Sequence, residues 1–231
     1  MQDGLPHIFV DDVMKDSKGY LWLSTMGGGG ARYDGNEFVN FNTNSNIHKL
    51  KSNFVSFICE DKSGRLWMAG EQGIDVISIN TLEVVTEDIS LPGSFEDFLD
   101  FPVSGMMISS AGNIWICSRN ILYKVILSAD GDISEIIKVS SIRSNERGAA
   151  LCEVNGYIWF QKDSNICMVS ENTDKWHEEA QIVSSSLKII ERQSVFCIYN
   201  QQNEVWIGTS HGILRYNMMT DNVKIYMYDR N

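Results

Sequence analysis

The 231-residue sequence predicts an all-β chain, a β-propeller of five recognisable four-stranded blades, and three regularities predict it. Tryptophan recurs at Trp22, Trp67, Trp115, Trp159 and Trp206, at spacings of 44 to 48 residues. A period of that size carried by short β-rich segments marks propeller blades. Three residues before each of these tryptophans stand Gly19, Gly64, Gly112, Gly156 and Asn203, the residue types that most readily take positive φ, so a tight turn is expected there. An apolar, β-branched or aromatic run precedes every turn.

Within one repeat the elements follow in order. The runs 8–14, 54–59, 103–108, 149–152 and 195–199 predict the innermost strands, expected to be buried on both faces because their hydrophobicity is nearly continuous. Six residues before each Trp lies a polar residue, Asp16, Asp61, Ser109, Glu153 or Asn200, suited to accept hydrogen bonds from the turn. The Trp strand is second, and two residues after Trp a small residue (Ser24, Ala69, Cys117, Gly208) lets neighbouring blades approach, Gln161 being the exception. A third strand is clearest at 30–34 and 212–217, with looser versions at 73–79, 121–125 and 166–169. After turns such as Asp34-Gly35-Asn36 an alternating fourth strand follows, as in 38–41 or 223–226. The blades fall roughly at 5–45, 50–90, 98–140, 148–186 and 190–229, all in one domain. A Trp present in every repeat serves what every repeat shares, so these indoles are expected to pack between blades and not to form a binding ring.

The net charge is −11, from 30 acidic against 19 basic residues, with no dense basic cluster, which argues against a nucleic-acid partner. No apolar stretch is long enough to span a membrane and the opening residues lack a secretory signal, so no membrane contact is expected of this segment. Cys59, Cys117, Cys152, Cys167 and Cys197 have no metal-type spacing and sit in strands, and are expected as buried free thiols. The four histidines are scattered, so neither a metal nor a cofactor is expected.

Function is sought in the loops after the second strands, where polar residues differ between blades while the framework repeats. Candidate ligand-binding residues are Arg32, Glu71, Arg119, Lys162, Trp176 and His211. Arg32 is matched by Arg215, which favours pairing with a blade-edge carboxylate over ligand contact. Trp176, off the repeat in a polar segment, suits either stacking on a sugar or capping the blade edge. The run 27–30 of four glycines lacks the Lys-Ser or Lys-Thr of a phosphate loop and leads into a strand, so no nucleotide site is expected.

The pattern Asp16-Ser17-Lys18-Gly19-Tyr20-Leu21-Trp22, continued by Thr25, the glycine run and Arg32-Tyr33-Asp34-Gly35, resembles the two-component regulator propeller repeat. Asp61-Lys62-Ser63-Gly64-Arg65-Leu66-Trp67 is a second copy, and Val205-Trp206-Ile207-Gly208-Thr209 with Gly212 and Arg215-Tyr216 a third. The copies around Trp115 and Trp159 keep Gly and Trp but lack the Asp, Thr and Arg-Tyr. The resemblance implies a periplasmic, non-enzymatic sensor segment of a hybrid two-component histidine kinase that recognises glycan-derived oligosaccharides, any kinase activity lying in parts not present here. Propellers of that family have seven blades, so two readings stand: a segment of a larger propeller, preferred because uncovered blade edges are sticky, or a closed five-bladed ring. Expected partners are an oligosaccharide and either neighbouring blades or a second copy of the chain. The alternative functions are a glycosidase-like enzyme, for which Asp11, Asp12, Glu60 and Glu153 are the available acids, and a lectin-like scaffold.

Overall fold

The turn before each Trp strand is built by the side chain six residues upstream. Asp16 Oδ1 accepts the amides of Lys18 and Tyr20, each at 2.9 Å, while its Oδ2 accepts the Trp22 indole N–H at 2.8 Å. Asp61 repeats this with Ser63, Arg65 and Trp67, and adds Arg65 Nε at 2.8 Å. One carboxylate thus fixes both the hairpin and the orientation of the indole it precedes. The glycine three residues before Trp has positive φ in four repeats; in the fifth, Gln202 takes that conformation instead of Asn203.

The computed structural model describes residues 4–142, 148–172, 180–187 and 194–227. Its sheets are antiparallel meanders. The first contains β1 (Val10–Lys15), β2 (Leu21–Thr25), β3 (Gly29–Tyr33) and β4 (Phe38–Phe41). The second contains β5 (Val55–Glu60), β6 (Arg65–Gly70) and β7 (Gly73–Ser78). The third contains β8 (Val103–Ile108), β9 (Ile114–Ser118), β10 (Ile121–Leu127) and β11 (Ile133–Ser141). The fourth contains β12 (Leu151–Val154), β13 (Tyr157–Lys162), β14 (Asn165–Ser170) and β15 (Gln181–Ile182). The fifth contains β16 (Val195–Gln201), β17 (Glu204–Thr209), β18 (Gly212–Asn217) and β19 (Asn222–Met227).

Four of the sheets thus have four strands, and the second has three. Its fourth position is taken by an isolated bridge between Ile77 and Val84 and a 3-10 turn, Thr86–Asp88. Buried Thr86 accepts the Val76 amide through Oγ1 at 2.9 Å, so a hydroxyl replaces part of the missing ladder.

Two compact units divide the chain. One comprises Met1–Ile108, Gly112–Arg119 and Lys124–Ile136, the other Ser109–Ala111, Asn120–Tyr123 and Ile137–Asn231. In the first unit Trp22 packs with Phe41 and with Ile58, Leu66, Met68 and Ile77 of the second sheet. In the second unit Trp159 packs with Val195, Ile198, Val205, Ile207, Leu214 and Tyr216 of the fifth sheet. Trp22, Trp67, Trp115 and Trp159 are all at most 4 % exposed, as inter-sheet packing requires, whereas Trp206 is only half-buried.

Two expectations are corrected. The innermost strands are not all buried on both faces: β5 is largely covered, but β1 has no buried position and β16 buries only Val195 and Ile198. Each innermost strand is hydrogen-bonded along one edge only, and a face without a sheet against it stays in solvent. The cysteines are all free, yet Cys197 is exposed on such a face and Cys152 half-buried, while Cys59, Cys117 and Cys167 are buried. Gln161, the large residue where others are small, reaches out of its own strand and accepts the Val195 amide at 2.9 Å, tying the fourth sheet to the fifth.

Candidate functional site

The loop-bearing end of the sheets is defined by register. Val10 pairs with Thr25 and Thr25 with Gly29, so the start of β1, the end of β2 and the β2–β3 turn share one end of the first sheet. Val55, Gly70 and Gly73 hold the same places in the second sheet. At this end of the first unit the Met26 amide donates to Phe9 carbonyl at 3.1 Å, and Met26 forms an antiparallel bridge with Phe54. His7 stands 5.6 Å from the Phe9 ring, and its Nδ1 accepts the Phe9 amide at 3.2 Å. Phe9, Met26 and Phe54 are exposed. Further along, Arg119 lies with its guanidinium 3.8 Å from the centre of the Phe101 ring. Phe9, Met26 and Phe54 thus form an exposed apolar and aromatic row, and Arg119 adds a cation at the same end of the first unit.

The glycine run in the first of these turns is structural. Gly27 and Gly29 amides both donate to Asn53 carbonyl, at 2.9 and 2.8 Å, and the Gly28 amide donates to Thr25 Oγ1 at 3.1 Å. These donors are used within the fold, so the turn offers no anion cradle. Glycine is needed at 29 because a Cβ there would lie 2.0 Å from Phe41 carbonyl oxygen; at the equivalent Gly212 it would lie 2.2 Å from that of Tyr226.

Of the residues nominated from sequence, Glu71 lies exposed in the β6–β7 turn and Arg119 in the β9–β10 turn, both at the loop end of the first unit. In the second unit Lys162 ends β13 and His211 lies in the β17–β18 turn. There, Lys162 Nζ is 3.5 Å from Ser140 Oγ, and His211 Nδ1 is 2.9 Å from Ser210 Oγ. Arg32 stands away from the loops: it pairs with Trp22 across the sheet and covers the Tyr20 ring at 4.4 Å. Its counterpart Arg215 forms a two-pronged ion pair with Glu204, which holds the Glu204 carboxyl below the usual range. Trp176 lies outside the described residues. Phe9 and Phe54 carry no distinguishing sequence signal, because a Phe at the mouth of an apolar strand has the same sequence signature as a core residue.

The inner-strand carboxylates are engaged in joining sheets. Asp11 Oδ2 accepts from Ser56 Oγ at 3.3 Å, Asp12 Oδ2 from the Ile58 amide at 3.1 Å, and Glu60 Oε2 from the Ser17 amide at 2.7 Å. In the second unit Glu153 accepts both the amide and the hydroxyl of Ser110 at 2.6 Å. Burial raises the Asp12 pKa above its ordinary value, against the opposing effect of the Ile58 and Val13 amides. Among the described residues no group of three or more His, Cys, Asp or Glu is placed to hold a metal ion, and no helix is long and apolar enough to cross a membrane.

Antiparallel four-stranded meanders of this kind, with a carboxylate-tied Trp in each of two repeats, are the blades of a β-propeller. Residues 49–72 match the two component regulator propeller family, so the chain carries that repeat. No curated protein matches the sequence. The fold is similar to the extracellular domain of the hybrid two component system BT3049 from B. thetaiotaomicron, at 18 % identity and a TM-score of 0.69, over 98 % of this chain and 31 % of that one. The corresponding domain of BT4673 from the same organism gives 17 % identity and the same TM-score, over 98 % and 31 %. Virginiamycin B lyase from Staphylococcus aureus shares the fold at 13 % identity and a TM-score of 0.60, over 95 % of this chain and 70 % of that one. The chain spans about a third of the length of these two extracellular domains, 31 % in each case.

Proposed function

We propose that this chain is an extracytoplasmic sensing segment of a hybrid two-component regulator, non-enzymatic in itself, that takes a glycan-derived oligosaccharide on the loop end of its first unit. The observation that carries the reading is the exposed row Phe9–Met26–Phe54 at the loop end of the first unit, which also carries Arg119 over Phe101. Sugar rings present C–H faces that pack on aromatic side chains and hydroxyls that hydrogen-bond to cations and carboxylates such as Arg119 and Glu71. The family repeat and the likeness to extracellular domains of two-component systems support the sensor role. The engagement of Asp11, Asp12, Glu60 and Glu153 in sheet-joining hydrogen bonds weighs against a glycosidase.

Calorimetric titration with oligosaccharide digests of plant and host glycans tests this. Saturable heat with one digest is expected, weakened on the order of tenfold by Phe54→Ala or Phe9→Ala, as loss of one stacking contact implies. Binding that ignores both substitutions would remove the loop end as the site, and hydrolysis of the digest would replace the sensor by an enzyme.

A further inference from the structure

We propose that the junction of the first and second sheets, inside the first unit, binds a calcium ion on Asp11, Asp12, Ser24 and Ser56. The repeat supplies the backbone of this site. β1 and β5 each carry a bulge, between Val10 and Asp12 and between Val55 and Phe57, which leaves Asp11 and Ser56 outside the ladder. A bulge re-aims the side chain it expels. Just past the bulge stands a cross-strand pair: Phe57 with Ala69 in the second sheet, Gly105 with Cys117 in the third and Cys197 with Gly208 in the fifth. In the first sheet the same place holds Asp12 with Ser24. A carboxylate and a hydroxyl where like sheets carry apolar or small residues serve something other than stacking one sheet on the next.

Four oxygen-bearing side chains converge there. Asp11 Oδ2 accepts the Ser56 hydroxyl at 3.3 Å and Asp12 Oδ2 the Ile58 amide at 3.1 Å, so both carboxylates reach the same stretch of β5. They are near enough for the Asp11 charge to act on Asp12. Ser24 lies beside Asp12 across β1 and β2. It is 0 % exposed, and its Oγ has no hydrogen-bond partner. Its other cross-strand neighbour, Gly30, has no side chain, and a Cβ there would lie 2.5 Å from Met68 Cε and Sδ, so an apolar thioether closes that side. The polar side of Ser24 is the side of the carboxylates. A buried hydroxyl left unpaired is costly, and a cation held between it and two carboxylates satisfies it. Oxygen donors select a hard cation, and two carboxylates a divalent one. Donors held on three strands suit the flexible coordination of calcium better than the near-ideal octahedron that magnesium demands. Two hydroxyls stand here where a third carboxylate would complete a commoner cation site.

Calcium titration of the EDTA-treated full chain tests this. At a calcium concentration about 100-fold above its dissociation constant, the thermal midpoint should rise by roughly 5 to 10 °C. Terbium added in place of calcium should show luminescence sensitised by Trp22, which shares a face of β2 with Ser24, and calcium should quench it. Asp11→Asn, at an exposed position, should weaken calcium binding on the order of tenfold or more. Ser24→Ala separates a ligand from a structural hydroxyl. In EDTA its midpoint should equal or exceed that of the wild type, because an unpaired buried hydroxyl is gone, and in calcium it should fall below. No midpoint shift and no sensitised terbium would overturn the proposal. So would an equal shift with sodium chloride at matched ionic strength, which signals screening of the acidic chain, and a calcium effect that survives both substitutions, which places the ion elsewhere. A loss in Ser24→Ala that is the same in EDTA and in calcium would reduce Ser24 to a structural residue and overturn it as well.

Discussion

A single carboxylate does the local architectural work at Asp16 and Asp61. Asp61 satisfies two amides, an indole N–H and the Arg65 guanidinium from a buried position. Asp61→Ala strands those donors and should cost about 3 kcal/mol of unfolding free energy in urea, because buried donors left unpaired lose their solvation without compensation. Asp61→Asn, which keeps one acceptor oxygen, should cost clearly less; equal losses would show that packing and not hydrogen bonding sets the effect. Asp12 makes a pH argument of the opposite kind. Burial raises its pKa above 3.8, so the folded chain holds this proton more tightly than the unfolded chain. Ionisation then favours unfolding, a penalty absent at low pH that grows as pH rises past 3.8 and is complete above the folded pKa. Asp12→Asn removes it, so the stability difference between variant and wild type should widen in the variant's favour across that window and then level. A difference independent of pH would refute the assignment. Glu204, held low by Arg215, has the reverse sign: its contribution is present above 4.5 and lost as pH falls.

At the scale of elements, the turn and Trp strand were legible because everything that makes them lies within seven residues of sequence. Asp, Gly and Trp meet by local geometry, and no distant segment has to agree. The fourth strands were less so: only 38–41 and 223–226 alternate clearly in the sequence, and in the second sheet Thr86 supplies a side-chain acceptor to Val76 and the chain turns away. Least legible was which faces are covered. Trp206 holds the same place in its repeat as Trp22, with Asn200 and Asn203 where the first repeat has Asp16 and Gly19, but what covers Trp22 is Phe41 and the following sheet, and residues outside the repeat decide that. The loop end divides likewise. Glu71 and Arg119 were visible because the repeat frames their turns, whereas Phe9 and Phe54 required knowing that nothing lies over them. This contrast sets a prediction about the tryptophans. Trp22→Ala opens a cavity in a closed inter-sheet core and should cost about 4 kcal/mol. Trp206→Ala removes a half-buried ring and should cost about half as much or less, measured by the same denaturant titration. Equal costs would mean that the fifth sheet's outer face is covered in solution.

Over the whole molecule, the five thiols report how far cooperativity extends. Cys59 and Cys117 lie buried in different sheets of the first unit, and burial pushes both thiols up, Cys117 to about 11. A buried, protonated thiol reacts with alkylating reagents only when its surroundings open, so each reports the opening of its own sheet. Propeller sheets of this chain are joined by side-chain contacts from one sheet to the next, as in Trp22 against Ile58 and Leu66 or Asp12 against the Ile58 amide. In such arrays the neighbour terms, more than the single repeat, determine whether repeats melt together. Pulsed alkylation through a urea series, read by peptide mass, should therefore expose Cys59 and Cys117 at one common midpoint, while Cys197 is already modified in the native chain at low concentration. If Cys117 became reactive at a urea concentration where Cys59 was still protected, the second and third sheets would unfold as separate steps. The contacts between them would then be too weak to make the first unit a single cooperative body.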